Sequence, residues 1–230
     1  MAYAFVENQH LTDIANSIRS KTGSQATMKV SEMSSKIDNI PTGSPLIISD
    51  CSYLFSNDAR RYQVNDILPY CHPTEAVGLF NNSALTTSID LSNFDTSNLD
   101  NFNSMFQYCR RLTSLNISNF DTSNAVYMMA MFEACNELSV LDLSSFNTSR
   151  VNNMMNMFYQ CYKLETLDIS NFDFSNVTSY NSIFYDCGTQ TTTGLTMVYV
   201  KNQTAQNWIL NLSDDYRPST WSTDNVIIKS

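Results

Sequence analysis

The sequence predicts an α+β repeat protein, a short solenoid of 26-residue units that each contain one strand and one helical turn. One observation is that six apolar columns recur at a single fixed period between residues 85 and 187, which chance does not produce. Another is that the two halves of a unit differ in apolar spacing, one alternating and the other helix-like. Because one unit cannot bury its own apolar face, neighbouring units must stack on a shared core.

Four units occupy residues 85–187, and five of their columns hold large apolar side chains. The members of these columns are Ile89, Leu115, Leu141 and Leu167; Leu91, Ile117, Leu143 and Ile169; Phe94, Phe120, Phe146 and Phe172; Met105, Met131, Met157 and Ile183; and Phe106, Phe132, Phe158 and Phe184. Residues 112–118 alternate inward and outward side chains, which predicts a strand. Residues 125–135 carry apolar side chains at helical spacing, which predicts one or two helical turns after a polar turn and N-cap.

The sixth column is formed by Cys109, Cys135, Cys161 and Cys187. Equivalent positions of a solenoid stack in its interior, so we expect a ladder of buried, reduced thiols rather than a disulfide framework. Cys51 and Cys71 lie outside the ladder and could pair. The sequence has no C-x-x-C motif and no Cys/His cluster, so no metal and no cofactor is expected.

The flanking segments divide the remainder of the chain. Residues 1–43 predict a helical attachment or oligomerisation module of two short amphipathic helices. Its two apolar stripes are Leu11, Ile14 and Ile18, and Met33, Ile37 and Ile40. Such a hairpin has too little core to be stable alone, so we expect it to oligomerise, with a trimer favoured, or to dock on a partner.

Residues 44–84 predict a linker followed by degenerate amino-terminal repeats, in which Ser83 stands at the cysteine position. Residues 188–230 predict a strand, helix and strand that cap the solenoid, because a terminal repeat must cover the exposed core. A separate binding module is the alternative for this last segment.

The charge balance limits the partners. The formal net charge is −9 and the pI is about 4.5, so nucleic acid is not expected as a partner. No stretch reaches the length of apolar residues that a membrane helix needs, and the first residues lack the apolar core of a signal peptide. We therefore expect synthesis in the cytoplasm without membrane insertion.

Catalysis is not expected. The only histidines, His10 and His72, belong to no recognisable motif, and no phosphate-binding or nucleophile motif is present. The aspartates recur with the repeat period and Asn replaces them in some units, which favours turn and strand-face roles over acid–base chemistry or calcium binding.

Two groups of polar and aromatic residues form the candidate recognition surface. One lies near the cysteines and the other on the strand face: Tyr108, Arg110, Arg111, Tyr159, Tyr162, Lys163 and Tyr185, and Asn116, Asp142 and Asp168. Tyr and Arg are favoured in binding hot spots, and the strand-face groups could hydrogen-bond a sugar. Equally, the tyrosines could cover the edge of the core, and the strand face could simply be solvated.

The repeat resembles the BspA-like leucine-rich repeats, whose unit follows the pattern L-x-x-LDLS-x-FDTS-x-V-x-x-M-x-x-MF-x-x-C. This resemblance covers residues 85–187 and implies a curved leucine-rich-repeat solenoid used for adhesion or recognition. Members at the cell surface carry an export signal, and the present sequence shows none.

The amino-terminal segment resembles a short module of tail, baseplate and receptor-binding proteins from phages of Gram-positive bacteria. The matching residues are Ile14, Ala15, Ile18, Arg19, Lys21, Thr22, Gly23, Met28, Glu32, Met33, Ile37 and Ile40. The resemblance implies a structural protein of the virion tail tip that recognises a glycan or protein on the host surface. A bacterial BspA-like surface adhesin, or a protein-interaction module, is the alternative.

Overall fold

A computed structural model describes residues 48–56, 71–83, 87–191 and 196–229. The attachment module at residues 1–43, with Leu11, Ile14, Ile18, Met33, Ile37 and Ile40, lies outside these residues. The described elements are β1 (Ile48–Asp50), β2 (Cys71–Glu75), β3 (Ser88–Asp90), β4 (Ser114–Asn116), β5 (Val140–Asp142), β6 (Thr166–Ile169), β7 (Met197–Val200), α1 (Gln203–Leu210) and β8 (Val226–Ile228). Together they form a repeat solenoid, which confirms the predicted architecture at this level.

The strands stack in parallel, one from each coil of the solenoid. Within the described residues they form three sheets, with strand orders β1-β2, β3-β4 and β5-β6-β7-β8. The register shifts by one repeat, so Ile89 pairs with Leu115, and Leu141 pairs with Leu167. In β3 and β5 the middle residue is buried while its neighbours are exposed, as the alternating pattern predicts, and in β4 the middle residue Leu115 is half-buried.

The predicted helical turn of each unit is wrong, because consecutive β-turns take its place. In the coil of residues 102–109, the amide of every second residue donates to the next coil, as Phe102 N does to Tyr127 O (2.8 Å) and Ser104 N to Met129 O (2.9 Å). Turns close between these bonds, as Gln107 N donates to Ser104 O at 3.1 Å. Half of the amides thus bond between coils, whereas a helix would keep them within its own segment.

Left-handed backbone recurs in these turns at positions four residues apart. The non-glycine residues that adopt it in successive regular coils are Ser104 and Tyr108, Ala130 and Ala134, Asn156 and Gln160, and Ser182 and Asp186, all with φ between 53° and 60°. An α-helix requires negative φ at every residue, so this conformation excludes one. The cost of each positive φ is offset by the hydrogen bonds that the geometry directs to the next coil.

The core contains two stacks of aromatic rings that run along the solenoid. One passes through Phe55, Phe80, Phe106, Phe132, Phe158 and Phe184, with centroid separations of 5.1–5.9 Å. The other passes through Phe94, Phe120, Phe146 and Phe172 at 6.3–6.5 Å. All of these rings are buried, so both predicted phenylalanine columns form continuous parts of the core.

The cysteine column is also buried and reduced. Each of three thiols donates to a phenylalanine carbonyl of the preceding coil: Cys109 to Phe80, Cys135 to Phe106 and Cys161 to Phe132, at 3.2–3.3 Å. Ser83 takes the equivalent position one coil earlier, where its Oγ donates to Phe55 O at 2.6 Å. Cys51 is fully buried, while the side chain of Cys71 lies outside the described residues, so their pairing stays a prediction.

The carboxyl-terminal segment packs two tryptophans against rings of the last regular coil. Trp221 packs on Phe184 with a centroid separation of 5.0 Å, and Trp208 of α1 stacks on Phe174 at 4.2 Å. Arg217 joins the two regions, since its guanidinium donates to the carbonyls of Leu210 and Trp221. This segment contains β7, α1 and β8 where the sequence predicts a strand, a helix and a strand.

Candidate functional site

The predicted strand-face residues Asn116, Asp142 and Asp168 share one column of the repeat with Asp90. The side chains of the first three members of this column fix local turns. The carboxylates of Asp90 and Asp142 each accept from the amide two residues later, at 3.0 and 2.9 Å, and Asn116 does the same at 3.3 Å. Hydrogen bonds from the backbone and the side chain of Ser92 lower the pKa of the Asp90 carboxyl. Of the three residues of this column predicted as recognition groups, Asn116 and Asp142 are exposed.

Asp168, the last predicted member of that column, has a different environment. Its carboxylate forms a hydrogen-bonded ion pair with Lys229, and only 7% of the residue is exposed. Burial opposes the lowering of its pKa, but the hydrogen bonds from Lys229 and Ser170 prevail, so the pKa lies below its usual value. The ion pair therefore ties the carboxyl end of the chain to β6.

The turn-side residues form a continuous group across several coils. The guanidinium of Arg110 lies 5.2 Å from the centre of the Tyr108 ring, and the rings of Tyr159 and Tyr185 stack at 5.4 Å. Tyr162 lies within electrostatic range of Arg110, Tyr159 and Tyr185. We call the five residues Tyr108, Arg110, Tyr159, Tyr162 and Tyr185 the tyrosine edge.

Carboxylates border the tyrosine edge. A side-chain hydrogen bond to Glu133, followed by partial burial, raises the pKa of the Tyr108 phenol. Burial is the main reason that the pKa of Tyr162 is raised, and the negative charge of Asp186 adds to it. The phenols therefore stay protonated at neutral pH and can both donate and accept hydrogen bonds.

Arg111 and Lys163 belong to a separate exposed column. Lys163 pairs with Glu137 of the preceding coil at 2.7 Å, and both side chains are more than 40% exposed. An exposed pair of this kind contributes little to stability. Arg111 is also exposed, at the position equivalent to Glu137 one coil earlier.

Sequence reasoning missed the polar ladder that supports the tyrosine edge. The side chain of Asn81 donates to Gln107 at 2.7 Å, and that of Gln107 donates to Glu133 at 2.9 Å. These residues share one column with Tyr159 and Tyr185, which lie one and two repeats beyond Glu133. The repeat period was therefore a signal that could have placed Glu133, only 7% exposed, beside the tyrosines.

The described residues contain no group of three His, Cys, Asp or Glu side chains arranged to hold a metal ion. In the same part of the chain, no helix has the length and apolar character needed to cross a membrane.

Comparison with known proteins gives a family match. Neither the curated proteins nor the solved structures contain a match to the chain. A family profile described as "Mycoplasma protein of unknown function, DUF285" matches residues 74–196, more than half of the sequence. This match and the repeat solenoid fit a BspA-like repeat protein. The chain thus belongs to the DUF285 family.

Proposed function

We propose that the protein is a non-catalytic recognition protein whose solenoid presents the tyrosine edge to a glycan or protein on a bacterial cell surface. The observation that carries this proposal is the stacked pair of rings formed by the half-buried Tyr159 and the exposed Tyr185, beside Tyr162 and the Arg110–Tyr108 pair. Tyrosine and arginine side chains combine large apolar area with hydrogen-bonding groups, and they dominate the binding energy of many interfaces.

The support beneath these side chains strengthens the proposal. Tyr108 N donates to Glu133 O at 2.7 Å, and Gln160 N donates to Tyr185 O at 2.8 Å, so adjacent coils hold the backbone of the tyrosine edge. The Tyr159 and Tyr185 rings also restrict each other by stacking. A surface ordered before binding loses little conformational entropy when a partner arrives, which favours affinity.

The proposed place of action is based on the resemblance of the amino-terminal segment to a module of phage tail proteins. In this proposal residues 1–43 attach the protein to a phage or prophage tail and associate into a homo-oligomer, with a trimer favoured. The protein is made in the host cytoplasm and acts at the virion tail tip. The alternative is a BspA-like adhesin at the bacterial surface, and the family match to a Mycoplasma protein favours this second candidate.

Cell binding tests the recognition role. The labelled full-length protein is titrated onto a panel of bacteria that includes Gram-positive strains and Mycoplasma, and compared with a Tyr159→Ala/Tyr185→Ala variant. Loss of both rings should weaken binding more than about tenfold, as for removal of a hot-spot pair. The Asp121→Asn variant, at an exposed turn position outside both predicted recognition groups, is the control and should bind normally. Equal binding by all three proteins, or no binding to any strain, contradicts the proposal.

Virion incorporation tests the attachment role separately. Substitution of Ile14 and Ile18 by Asp should prevent incorporation into phage particles and alter the oligomeric mass, without changing the monomer's thermal unfolding. Virions that retain the substituted protein would disprove attachment through residues 1–43. A chain found only in bacterial envelopes would support the adhesin alternative.

A further inference from the structure

The solenoid changes its pattern at the last regular coil, where a cleft opens. In the preceding coils Thr96, Thr122 and Thr148 are buried, and each hydroxyl donates to a backbone carbonyl of the next coil at 3.0–3.1 Å. Phe174 occupies the equivalent position in the last coil. Since a phenylalanine has no hydroxyl, the ladder stops there, and Trp208 packs on Phe174 instead.

The cleft lies between this coil and the start of α1, and has a volume of about 240 Å³. Its apolar lining comprises Phe172 and Phe174, which are buried, and Trp208, which is partly exposed. The last coil contributes Asp173 and Ser175 to the polar rim of the cleft, and the start of α1 with the residues just before it contributes Lys201, Asn202 and Thr204. Trp208 is partly exposed and the rim residues are exposed or half-exposed, so a ligand has access from solvent.

The rim is held in a defined arrangement. Asp173 Oδ1 accepts from Ser175 N at 2.9 Å, and Asp173 N donates to the hydroxyl of Thr148 at 2.7 Å. Asn202 caps α1, with its Oδ1 accepting from Ala205 N at 3.0 Å. The hydrogen bonds from Ser175 lower the pKa of Asp173, and the charge of Lys201 adds to this effect. A charged acceptor and a charged donor therefore face the same small space.

We propose that this cleft binds a single neutral sugar unit, a polyhydroxylated ring that packs against the accessible part of the Trp208 indole, which is itself stacked on the buried ring of Phe174. Its hydroxyl groups donate to Asp173 and accept from Lys201, and the apolar face of the sugar ring covers the indole. A simple anion would meet the carboxylate of Asp173, and a simple cation would meet Lys201, so the paired charges favour an uncharged ligand with both donors and acceptors.

This site is separate from the tyrosine edge, and the proposal does not depend on the function proposed above. The chain supplies a matched control for it. Asp121 forms the same turn as Asp173, with its carboxylate accepting from Ser123 N at 2.9 Å, but it lies two coils away from the cleft. Asn147 stands at the equivalent position of the intervening coil and makes the same bond, so replacing Asp by Asn in this column preserves the turn.

Fluorescence of Trp208 provides the test. The full chain contains two tryptophans, so Trp221→Phe leaves Trp208 as the sole indole while retaining a ring on Phe184. This protein is titrated with a panel of hexoses, 6-deoxyhexoses and N-acetylhexosamines, and with inorganic phosphate. We expect a saturable change with at least one sugar at millimolar concentration and no saturable change with phosphate.

Variants then assign the binding to the cleft. Asp173→Asn should weaken sugar affinity by about tenfold or more, because hydrogen bonds to charged groups are strong. Lys201→Met should weaken it several-fold, while Asp121→Asn should leave it unchanged. The proposal is overturned if no sugar gives a saturable change, if phosphate saturates the site, or if Asp121→Asn and Asp173→Asn have equal effects.

Discussion

Gly188 shows how much a single residue contributes where the repeats end. It follows Cys187, the last member of the ladder, and adopts φ of +68°. Its amide donates to Cys161 O at 3.0 Å, and a Cβ atom built on it would lie 1.6 Å from the hydroxyl of Thr196. Both the backbone conformation and the close approach of Thr196 therefore require glycine at this position.

Substitution of Gly188 by Ala should lower the free energy of unfolding by about 2–4 kcal/mol, the combined cost of a left-handed alanine and of overpacking. Urea denaturation followed by circular dichroism measures this change. Gln190→Ala, at an exposed position two residues away, is the control and should have almost no effect. A Gly188→Ala protein as stable as the control would show that the segment can rearrange.

Because of the buried thiol column, the free energy of unfolding depends on pH in the alkaline range. Burial raises the pKa of Cys109 and of Cys161 to about 12, against an ordinary value of 9.0. A raised pKa in the folded state means that the full stability is present below pH 9. Above that pH the unfolded chain loses protons while the folded chain keeps them, so stability falls as pH rises towards 12.

Each such thiol should contribute a loss of about 1.4 kcal/mol per pH unit between pH 9.5 and pH 11. Urea midpoints measured across this range test the slope. A Cys109→Ser/Cys161→Ser variant should show a shallower slope, since Ser83 already occupies the equivalent position of an earlier coil with its hydroxyl bonded. An unchanged slope in the variant would mean that other groups cause the alkaline loss.

At the scale of elements, the longer aromatic stack ends on a side chain that lies outside the repeat. Trp221 is 4% exposed and covers the ring of Phe184, the last phenylalanine of its stack. Without this cover, the end of the stack would be open to water. The short segment between α1 and β8 therefore stabilises a much longer set of coils.

Trp221→Ala should cost about 3–5 kcal/mol of unfolding free energy, the usual effect of removing a large buried aromatic side chain. Trp221→Phe, which retains a ring against Phe184, should recover most of the loss. Chemical denaturation of the two variants makes the comparison. Equal stability of the alanine and phenylalanine variants would argue that the tryptophan does not close the stack.

The elements also show where the sequence is informative and where it is ambiguous. The period of 26 residues correctly predicted the strands and the buried phenylalanine and cysteine columns, because strict periodicity in a solenoid means stacking. The same apolar spacing at residues 125–135 suggested a helix. Apolar residues three or four apart also suit successive turns, and only the hydrogen bonds to the next coil distinguish the two.

The candidate sites were less predictable because they depend on contacts between distant segments. Tyr159 and Tyr185 could be grouped from the sequence, since they lie one repeat apart. The ion pair between Asp168 and Lys229 joins residues 61 positions apart, and no pattern in the sequence indicates it. The same holds for the cleft beside Trp208, which exists because a helix outside the repeat packs against the last coil.

At the scale of the whole molecule, equivalent coils should be interchangeable units. Deletion of residues 117–142 joins Asn116 to Leu143, so that every column keeps its register. We expect a cooperatively folded protein with one coil fewer and a proportionally smaller denaturant dependence of unfolding. Circular dichroism and urea unfolding provide the measurement.

Deletion of residues 117–141, one residue fewer, is the matched control. It shifts the following columns by one position, which turns buried side chains outward and should prevent cooperative folding. If the two deletions are equally stable, the stacked columns do not determine the fold.

The exchange of threonine for Phe174 has a consequence for how such a chain can change its length during evolution. An in-frame duplication of a unit before Phe174 adds a coil whose threonine joins the existing ladder. A duplication of the unit that contains Phe174 would instead insert a bulky ring where a hydroxyl must bond to a neighbouring coil. New coils are therefore added by duplication of units that precede Phe174. The last regular coil and the cleft beside Trp208 are inherited unchanged.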